Sequence, residues 1–321
     1  MTLRLPGVPG YAAALDALAS HAFDVGDLVH VTEYVTGAPP DRSPLGGHPV
    51  PVSTVRVAAL PGVEGGTLVE LTAHPGGGEP VRTRDAVARI ADDTVYLPSL
   101  RPRTNGDFRE QYRDCLLQAA DLLAAAGLRP GALVRTTDYT ETATRADYPR
   151  CGRPRRELLG GTDRDGAPVF PASAGILVDG LDSRVSLDAL ASRAPLKTVN
   201  PGWERYDTLT YRPGVLAGRT LFMSGFAALE PVTQRALFPG DLAAQADFTY
   251  ANVQTVLRQV PGAEIVSLVE YATPEAVPAL AALAPLREKY FGPVPAVTTV
   301  VCSALLRPEF LLEVVPTAVL R

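Results

Sequence analysis

The sequence lacks the features of several large protein classes. Its three cysteines, Cys115, Cys151 and Cys302, are widely spaced and fit neither a disulfide framework nor a zinc site. No apolar run approaches the roughly 20 residues that a membrane-spanning helix needs, and the N-terminus lacks the basic and apolar segments of a secretion signal. We therefore expect reduced thiols, a cytoplasmic location and no membrane partner.

Charge is also limited. The 321 residues include 30 basic and 35 acidic side chains, which give a formal net charge of −5 and a pI near 5.5. This balance gives no electrostatic case for binding nucleic acid. Hydrophobic residues make up 46% of the chain and charged residues 20%, which predicts a globular protein with a substantial core.

Motifs for metal, nucleotide or serine-nucleophile chemistry are missing. The histidines are not spaced as metal ligands, and we expect them on the surface or in loops: His21, His30, His48 and His74. GxSxG, the P-loop and the dinucleotide fingerprint are absent. We expect neither a metal nor another cofactor. Because all four histidines lie in the first 78 residues, acid–base chemistry in the rest of the chain would fall to carboxylates, tyrosines or thiols.

Internal repetition is the main feature that is present. A heptad rich in β-branched residues, ending in an acid and a tyrosine, occurs at Leu28–Tyr34, Leu133–Tyr139 and Ile265–Tyr271. This composition predicts strands. Each heptad follows a predicted helix. These helices are Tyr11–Ala22, Asp107–Ala126 and Leu242–Val260.

The repeated order is hairpin, helix, strand, irregular segment and strand. It occurs about two and two-thirds times, because the first copy lacks its hairpin. Closing strands are predicted in the first and third copies, at Thr67–Thr72 and Phe310–Val315. The pattern predicts an α+β fold of repeated units, with mixed sheets and a helix on one face of each. The expected units are 1–78, which is a partial repeat, 79–198 and 199–321.

The third copy contains segments that occur together in one known family. Leu221–Gly225 is followed by Gly240–Gln245, Asn252–Leu257 and Tyr290–Ala296. Their order and spacing resemble the Rid (YjgF-like) family of reactive-intermediate deaminases. The resemblance implies the Rid fold, which is chorismate mutase-like and forms trimers with small-molecule clefts between units. Nearly three copies in one chain would make an internal pseudo-trimer, so we expect a monomer or a small oligomer.

The arginine with which Rid deaminases grip the substrate carboxylate has no match here. It follows the Pro-Ala of the closing segment, and the matching positions are Ser53, Ser173 and Val297. The family's usual imine hydrolysis is therefore disfavoured in all three copies.

A second resemblance spans roughly Tyr96 to Arg321. Five short motifs occur in the order found in chorismatases: Thr137–Tyr139, Tyr148–Arg153, Pro171–Gly175, Asn200–Pro201 and Tyr211–Pro213. The chain departs from that family at three positions. Thr137–Asp138 replaces Trp-Asn, Gly202 replaces the arginine of the NPR motif, and Leu306 replaces a cysteine.

The chorismatase resemblance implies that Glu313, on the last strand, is the catalytic acid. A carboxylate among apolar strand residues either faces solvent or is buried with a raised pKa, and the second state suits a general acid. Arg153 matches the family's Gly-Arg and would hold a substrate carboxylate. Arg155 and Arg156 are expected on a solvated basic loop.

The other candidates have two interpretations each. Arg205 and Arg212 either contact a ligand or pack on the aromatic rings of a linker. Ser224 and Gly225 mark either a cleft or a plain turn, and Cys302 either belongs to the site or is a small core residue. The acid–tyrosine pairs are expected to be structural because they repeat. The expected substrate-binding set is Tyr148, Arg153, Arg205, Tyr211, Arg212, Ser224, Gly225 and Cys302.

Three functions remain open. The first is a chorismatase-like, cofactor-independent hydrolase or lyase that acts on a small carboxylated metabolite of specialised metabolism. The second is a Rid-fold tailoring enzyme, such as an isomerase, cyclase or imine hydrolase, which the altered motifs favour. The third is a non-catalytic small-molecule-binding protein, which the missing deaminase arginine favours.

Overall fold

The computed structural model describes residues 2–64, 66–163 and 166–321. Three large sheets dominate it, and a long helix packs on one face of each. The helices are α1 (Gly10–Ser20), α2 (Phe108–Ala125), α3 (Gly152–Leu158), α4 (Leu242–Leu257) and α5 (Leu283–Phe291).

The first sheet contains the N-terminal strands. These are β1 (Leu3–Pro9), β2 (Leu28–Val35), β3 (Val52–Arg56) and β4 (Thr67–Ala73). They lie in the order β1, β4, β2, β3; β2 and β3 are parallel and the other pairs antiparallel. The helix α1 buries Tyr11, Ala14 and Leu18 against this sheet. Within the described residues one strand, β1, precedes α1, and no opening hairpin is present there, as the sequence predicted.

The second sheet follows along the chain. The strands of this region are β5 (Glu79–Arg82), β6 (Val87–Ala91), β7 (Thr94–Tyr96), β8 (Leu133–Glu141), β9 (Gly161–Thr162), β10 (Pro168–Val169), β11 (Ala172–Val178) and β12 (Val185–Ser192). β9 and β10 form a separate hairpin, and the others lie in the order β11, β8, β12, β7, β6, β5. The closing strands predicted for the first and third copies are present, at Thr67–Ala73 and Leu312–Leu320, and β12 closes the second copy, where the sequence predicted none. Its small and polar residues hide the resemblance to the other two.

The third sheet is built by the C-terminal part of the chain. Its region contains β13 (Leu196–Val199), β14 (Gly214–Ala217), β15 (Thr220–Met223), β16 (Ala263–Ala272), β17 (Ala296–Val301), β18 (Ala304–Leu305) and β19 (Leu312–Leu320). The sheet order is β13, β14, β15, β19, β16, β17, with β16 and β17 parallel. β18 leaves this sheet and pairs with β11, so it joins the second and third units.

Local sequence explains where the long helices begin. Asp107 accepts a hydrogen bond from the Glu110 N–H (2.9 Å), and the Glu110 carboxylate accepts one from the Asp107 N–H (2.9 Å). This capping box satisfies backbone donors that the first turn of α2 leaves unpaired. Asp241 caps α4 in a similar way, through the Ala244 N–H.

The three sheets share an apolar interior on the faces that the long helices leave free. Its core includes Tyr34 and Val55 from the first unit, Tyr139 from the second, and Tyr271 with Val315 from the third. The heptad tyrosines therefore point between the units, while the heptad acids point to the helices.

These observations confirm the expected α+β class, with repeated units, mixed sheets and a helix on one face of each. The threefold relation between the units, their boundaries and the oligomeric state stay predictions. Within the described ranges, no helix has the length and apolar character needed to cross a membrane.

Candidate active site

The acids of the first and third heptads are structural. Glu33 accepts hydrogen bonds from Tyr11 Oη (2.6 Å) and Arg42 Nε (2.8 Å). Burial opposes the ionisation of Glu33. The hydrogen bonds from Arg42, Tyr11 and Thr54 outweigh the effect of burial, so the pKa of Glu33 is lowered. Glu270 likewise accepts hydrogen bonds from Tyr250 Oη and from Arg287 Nη1 of α5. Because both tyrosines come from the unit's own long helix, each acid ties a sheet to its helix.

In the second unit this arrangement includes Arg155. Asp138 Oδ2 accepts hydrogen bonds from Tyr112 Oη (3.0 Å) and Tyr148 Oη (3.1 Å), and Arg155 Nη1 lies 3.6 Å from it. Burial raises the pKa of Asp138, whose Oδ1 is buried with no hydrogen-bond partner among the described residues, and Arg155 opposes the rise. Arg155 is 2% exposed. Its expected position on a solvated loop is wrong, because α3 carries it into the interior beside a compensating acid.

Glu313 lies on β19 at the junction of the second and third units. The residue is 7% exposed, and within the described part of the chain its carboxylate accepts one hydrogen bond, from the Gly175 N–H (3.4 Å). Burial raises the pKa of Glu313 to about 8; the Gly175 N–H opposes the rise and the charge of Asp138 adds to it. The carboxyl is therefore mostly protonated at neutral pH, which is the state a general acid needs.

Two glycines make room at this junction. A Cβ on Gly225 would lie 2.0 Å from Glu313 Oε1, and a Cβ on Gly175 would lie 2.5 Å from Tyr148 Oη. Glycine is required at both positions because its backbone tolerates such close approach. The Gly225 N–H donates to Ser173 O (3.0 Å), which fixes the two units against each other beside the carboxyl.

A short 3₁₀ helix at Glu204–Asp207 places aromatic rings near Glu313. Tyr206 and Tyr211 are half-buried, with ring centroids 5.5 Å apart. Burial raises the pKa of both phenols, and the negative charge of Glu313 contributes to the rise. Arg205 is exposed and close enough to lower the pKa of Tyr211. The Arg205 guanidinium has no hydrogen bond or ion pair with any residue that the structure describes.

Arg212 and Ser224, both predicted to bind substrate, support this segment instead. Arg212 is 5% exposed, and its Nη1 donates to the carbonyl oxygens of Tyr206 (2.5 Å) and Leu209 (2.8 Å). Ser224 is fully buried, and its hydroxyl donates to Arg212 O (2.6 Å). The Ser224 hydroxyl and Nη1 of Arg212 thus bond backbone carbonyl groups, and these contacts give both residues a positioning role.

Two further predicted residues form no hydrogen bond with the Glu313 carboxyl in the described part of the chain, although Cys302 lies near enough for the charge of Glu313 to raise the pKa of its thiol. The Arg153 side chain is 70% exposed and forms an ion pair with Glu157 one turn along α3 (2.8 Å). Cys302 is fully buried, and its thiol donates to Ala272 O (3.3 Å). Burial raises the pKa of the Cys302 thiol. Arg153 thus faces solvent, and Cys302 is a core residue.

The junction of the first and second units has the same strand pairing as the junction that contains Glu313, but side chains occupy the corresponding space. Thr54 lies opposite Glu33 as Gly175 lies opposite Asp138. Ser186 pairs with Tyr139, and Glu313 pairs with Tyr271. Ser99 directly precedes Leu100, which forms an isolated β-bridge with Leu187. Gly225 directly precedes Phe226, which forms the corresponding bridge with Val314. The filled junction therefore has Thr54, Ser99 and Ser186 in place of Gly175, Gly225 and Glu313.

This comparison singles out the Glu313 junction as the one of the two that has both glycines and the carboxyl. Sequence reasoning included Gly175 in a motif but did not assign it to the site. The signal was available, since the equivalent residue in the other copies is a threonine, Thr54 or Thr299. In the described ranges, no cluster of three or more His, Cys, Asp or Glu side chains is arranged to hold a metal ion.

Comparison with known proteins identifies the fold. A solved chorismatase superposes with a TM-score of 0.66 and 14% identity, covering 99% of this chain and 97% of that one. RidA from the Antarctic bacterium Psychrobacter sp. PAMC 21119 is 22% identical over 35% of this chain and 90% of its own, with a TM-score of 0.32. A YjgF/YER057c/UK114 family member from Mycobacterium tuberculosis is 20% identical over 39% of this chain and 99% of its own, with a TM-score of 0.32.

No protein-family model matches the chain, and no curated protein matches its sequence. At 14% identity, the full-length superposition is evidence about the fold alone. The chain has a chorismatase-type fold, as the motifs from Thr137 to Pro213 and the C-terminal glutamate indicated.

Proposed function

We propose that this protein is an enzyme that protonates and hydrolyses the enol ether of a small carboxylated metabolite, with chorismate as the first substrate to test. The observation that carries the proposal is the Glu313 carboxyl, which is buried, mostly neutral at pH 7 and set against Gly225 at a junction between units. A chorismatase-type fold is consistent with this reaction, although a fold alone does not assign one.

In the proposed reaction, the carboxyl proton of Glu313 moves to the terminal CH₂ carbon of the enol ether. The C=C electron pair forms the new C–H bond and leaves an oxocarbenium ion. Water then adds to the cationic carbon and returns a proton to the Glu313 carboxylate. The resulting hemiketal breaks down to pyruvate and an alcohol, so the net change is the addition of one water without a cofactor.

Arg205 is the group best placed to bind a substrate carboxylate. It is exposed, it lacks a protein partner among the described residues, and it lies near Tyr206 and Tyr211. A guanidinium can bind a carboxylate through two parallel hydrogen bonds. The half-buried Tyr206, Tyr211 and Gly225 are on the route by which we expect a substrate to reach Glu313.

A second candidate is the same protonation on a substrate with one carboxylate, such as a biosynthetic enol ether or enamine. The specific observation is that Arg212 and Arg155, the other arginines of this region, already bond protein groups. Chorismate has two carboxylates, and Arg205 alone would leave one without a guanidinium partner. This candidate retains the proposed role of Glu313 and changes the substrate.

The test is incubation of the purified protein with chorismate, with pyruvate followed by a coupled lactate dehydrogenase assay. Glu313→Gln removes the acid, and Glu309→Gln, at an exposed position three residues from β19, is the matched control. We expect pyruvate from the wild type and Glu309→Gln but not from Glu313→Gln. Equal pyruvate release by all three proteins would refute the role of Glu313. A folded wild type that releases none would exclude chorismate and direct the search to monocarboxylate substrates.

A further inference from the structure

Beside the apolar core that the three sheets share lies a space whose lining includes polar side chains and does not include Glu313. It is a cavity of about 120 Å³, lined by residues of all three units, including the heptad tyrosines Tyr34, Tyr139 and Tyr271. Tyr139 Oη and Tyr271 Oη are 2.8 Å apart, and Tyr34 Oη donates to Glu70 Oε2 (2.9 Å). No role in the proposed reaction accounts for this cavity.

Arg135 is the unusual member of the lining. Its Nη1 donates to Thr317 Oγ1 (2.8 Å), and its guanidinium lies 5.9 Å from the Phe222 ring centroid. No ion pair of the described chain includes it, and its Nε and Nη2 donate to no described residue. By contrast, Arg155 and Arg287 each have a buried acid within 4 Å. Arg135 is half-buried, and withdrawing a guanidinium from water is costly unless an anion accompanies it.

Free hydroxyl donors surround the same space. The hydroxyls that line the cavity without a hydrogen-bond partner in the described chain are those of Thr32, Thr72, Thr137 and Ser267. Such groups complete the hydrogen bonding of a small oxyanion once a cation holds it. These hydroxyls lie on strands of all three sheets: β2 and β4 of the first, β8 of the second and β16 of the third. One bound ligand would therefore touch more than one unit.

The acids of the cavity already have partners. Glu70 accepts hydrogen bonds from Tyr34 and Thr298, and Asp188 accepts one from Ser99 (2.5 Å). Burial raises the pKa of Glu70 and raises the pKa of Asp188 to about 6. These carboxyls therefore offset less of the charge of Arg135 than two free carboxylates would.

We propose that the cavity between the three sheets is a binding site for a small monocarboxylate, held by the free edge of Arg135 and by the unpaired threonine and serine hydroxyls. Its volume is well above the roughly 10–15 Å³ of such space that a single water needs, so the cavity has room for a small molecule such as acetate. Because the three units meet there, the ligand strengthens the contacts between them. The three units do not contribute equally to the site. The residue that pairs with the fifth position of the heptad is an acid in the first two units, Glu70 and Asp188, and Val315 in the third.

Binding strengthens as the pH falls through about 6. The charged and titratable groups that face the cavity are Arg4 (β1), His30 and Tyr34 (β2), Glu70 (β4), Tyr96 (β7), Arg135 and Tyr139 (β8), Asp188 (β12) and Tyr271 (β16). Burial lowers the pKa of His30 to about 4, so this imidazole stays neutral above that pH. Protonation of Asp188 removes the negative charge that opposes a carboxylate. His30 lies on a strand at an internal cavity, so its expected surface or loop position is wrong.

The experiment is calorimetric titration of the full chain with sodium acetate, at constant ionic strength maintained with sodium chloride. We expect acetate to bind the wild type, with an affinity at least tenfold higher at pH 5.5 than at pH 7.5. Arg135→Gln should weaken binding at least tenfold, while Arg258→Gln, at an exposed position, should not change it. Acetate binding that is absent, independent of pH or equal in Arg135→Gln would overturn the proposal.

Two variants keep the test decisive if Arg135→Gln does not fold. Ser267→Ala removes one free hydroxyl and should weaken acetate binding severalfold. Glu313→Gln should bind acetate as the wild type does, because Glu313 does not line the cavity. Loss of binding in Glu313→Gln would place acetate at the proposed catalytic site and sink the inference, whatever the outcome of the pyruvate assay.

Discussion

Gly225 leaves the space that the carboxyl of Glu313 occupies: a Cβ at position 225 would lie 2.0 Å from Glu313 Oε1. The two residues belong to the same unit, but Gly225 also donates its N–H to Ser173 of the neighbouring one. The glycine thus brings two units together and leaves room for the buried carboxyl between them. At the other junction the equivalent residue is Ser99, whose side chain occupies the corresponding space.

Gly225→Ala is expected to abolish most of the activity. The added Cβ must displace the Glu313 carboxyl or separate the two units, and we expect at least a tenfold loss of kcat/KM with a stability cost of about 1–3 kcal/mol. Gly37→Ala is the control, because a Cβ there would meet nothing within 4 Å and its φ is not positive. Full activity in Gly225→Ala would show that the reaction does not use this junction.

Activity should fall as the pH rises through about 8. A general acid must be protonated, and the pKa of Glu313 is raised to about 8, chiefly by burial. We therefore expect kcat/KM to be level below pH 7 and to decrease tenfold per pH unit above about 8. The profile is measured as initial pyruvate release between pH 5 and 9.5. A decline centred below pH 6 would argue against Glu313 as the acid.

The same group makes folding stability depend on pH. Glu313 binds its proton more tightly in the folded than in the unfolded state, whose pKa is near 4.5, so stability decreases as pH rises from about 4.5 to 8. Each unit of pKa difference corresponds to about 1.4 kcal/mol, so the loss amounts to several kcal/mol. Urea titrations should show this loss in the wild type and in Glu309→Gln. In Glu313→Gln it should be reduced, and an identical decline in all three proteins would contradict the assignment.

Much of the fold could be read from the sequence because its signals are local. The β-branched heptads predicted β2, β8 and β16, and helical periodicity predicted α1, α2 and α4 to within a few residues. Contacts between distant parts of the chain left no such signal. Gly175 and Glu313 are 138 positions apart, and no periodicity links them. Family motifs did suggest Glu313, whereas the role of Gly175 depends on how two sheets meet.

The arginines illustrate the same limit. Arg153 and Arg155 are two positions apart, and the sequence favoured the first as the functional residue. On α3, side chains two positions apart point in different directions, so one faces solvent and the other faces Asp138. Which of them is buried depends on how α3 docks on the second unit, and the arginine-rich run itself does not encode that.

Arg155→Met should destabilise the protein far more than Arg153→Met. Removing Arg155 leaves the buried Asp138 without its cation, which costs about 3–5 kcal/mol. Removing the exposed Arg153 breaks an ion pair of about 0.5 kcal/mol or less. Urea denaturation at pH 7 measures both variants. Equal stabilities would contradict the buried position of Arg155.

Arg205→Gln should raise KM at least tenfold while leaving the free energy of unfolding within about 0.5 kcal/mol of the wild type. Its guanidinium has no partner among the described residues, so its loss breaks no contact in the folded chain. A charge-assisted contact with a substrate carboxylate would be lost, and it would be lost in the ground state and the transition state alike, so kcat should change little. Arg258→Gln, also exposed, is the control for the loss of one positive charge. Steady-state kinetics with the substrate found by the pyruvate assay separates KM from kcat. An unchanged KM in Arg205→Gln would mean that the substrate carboxylate is bound by another group.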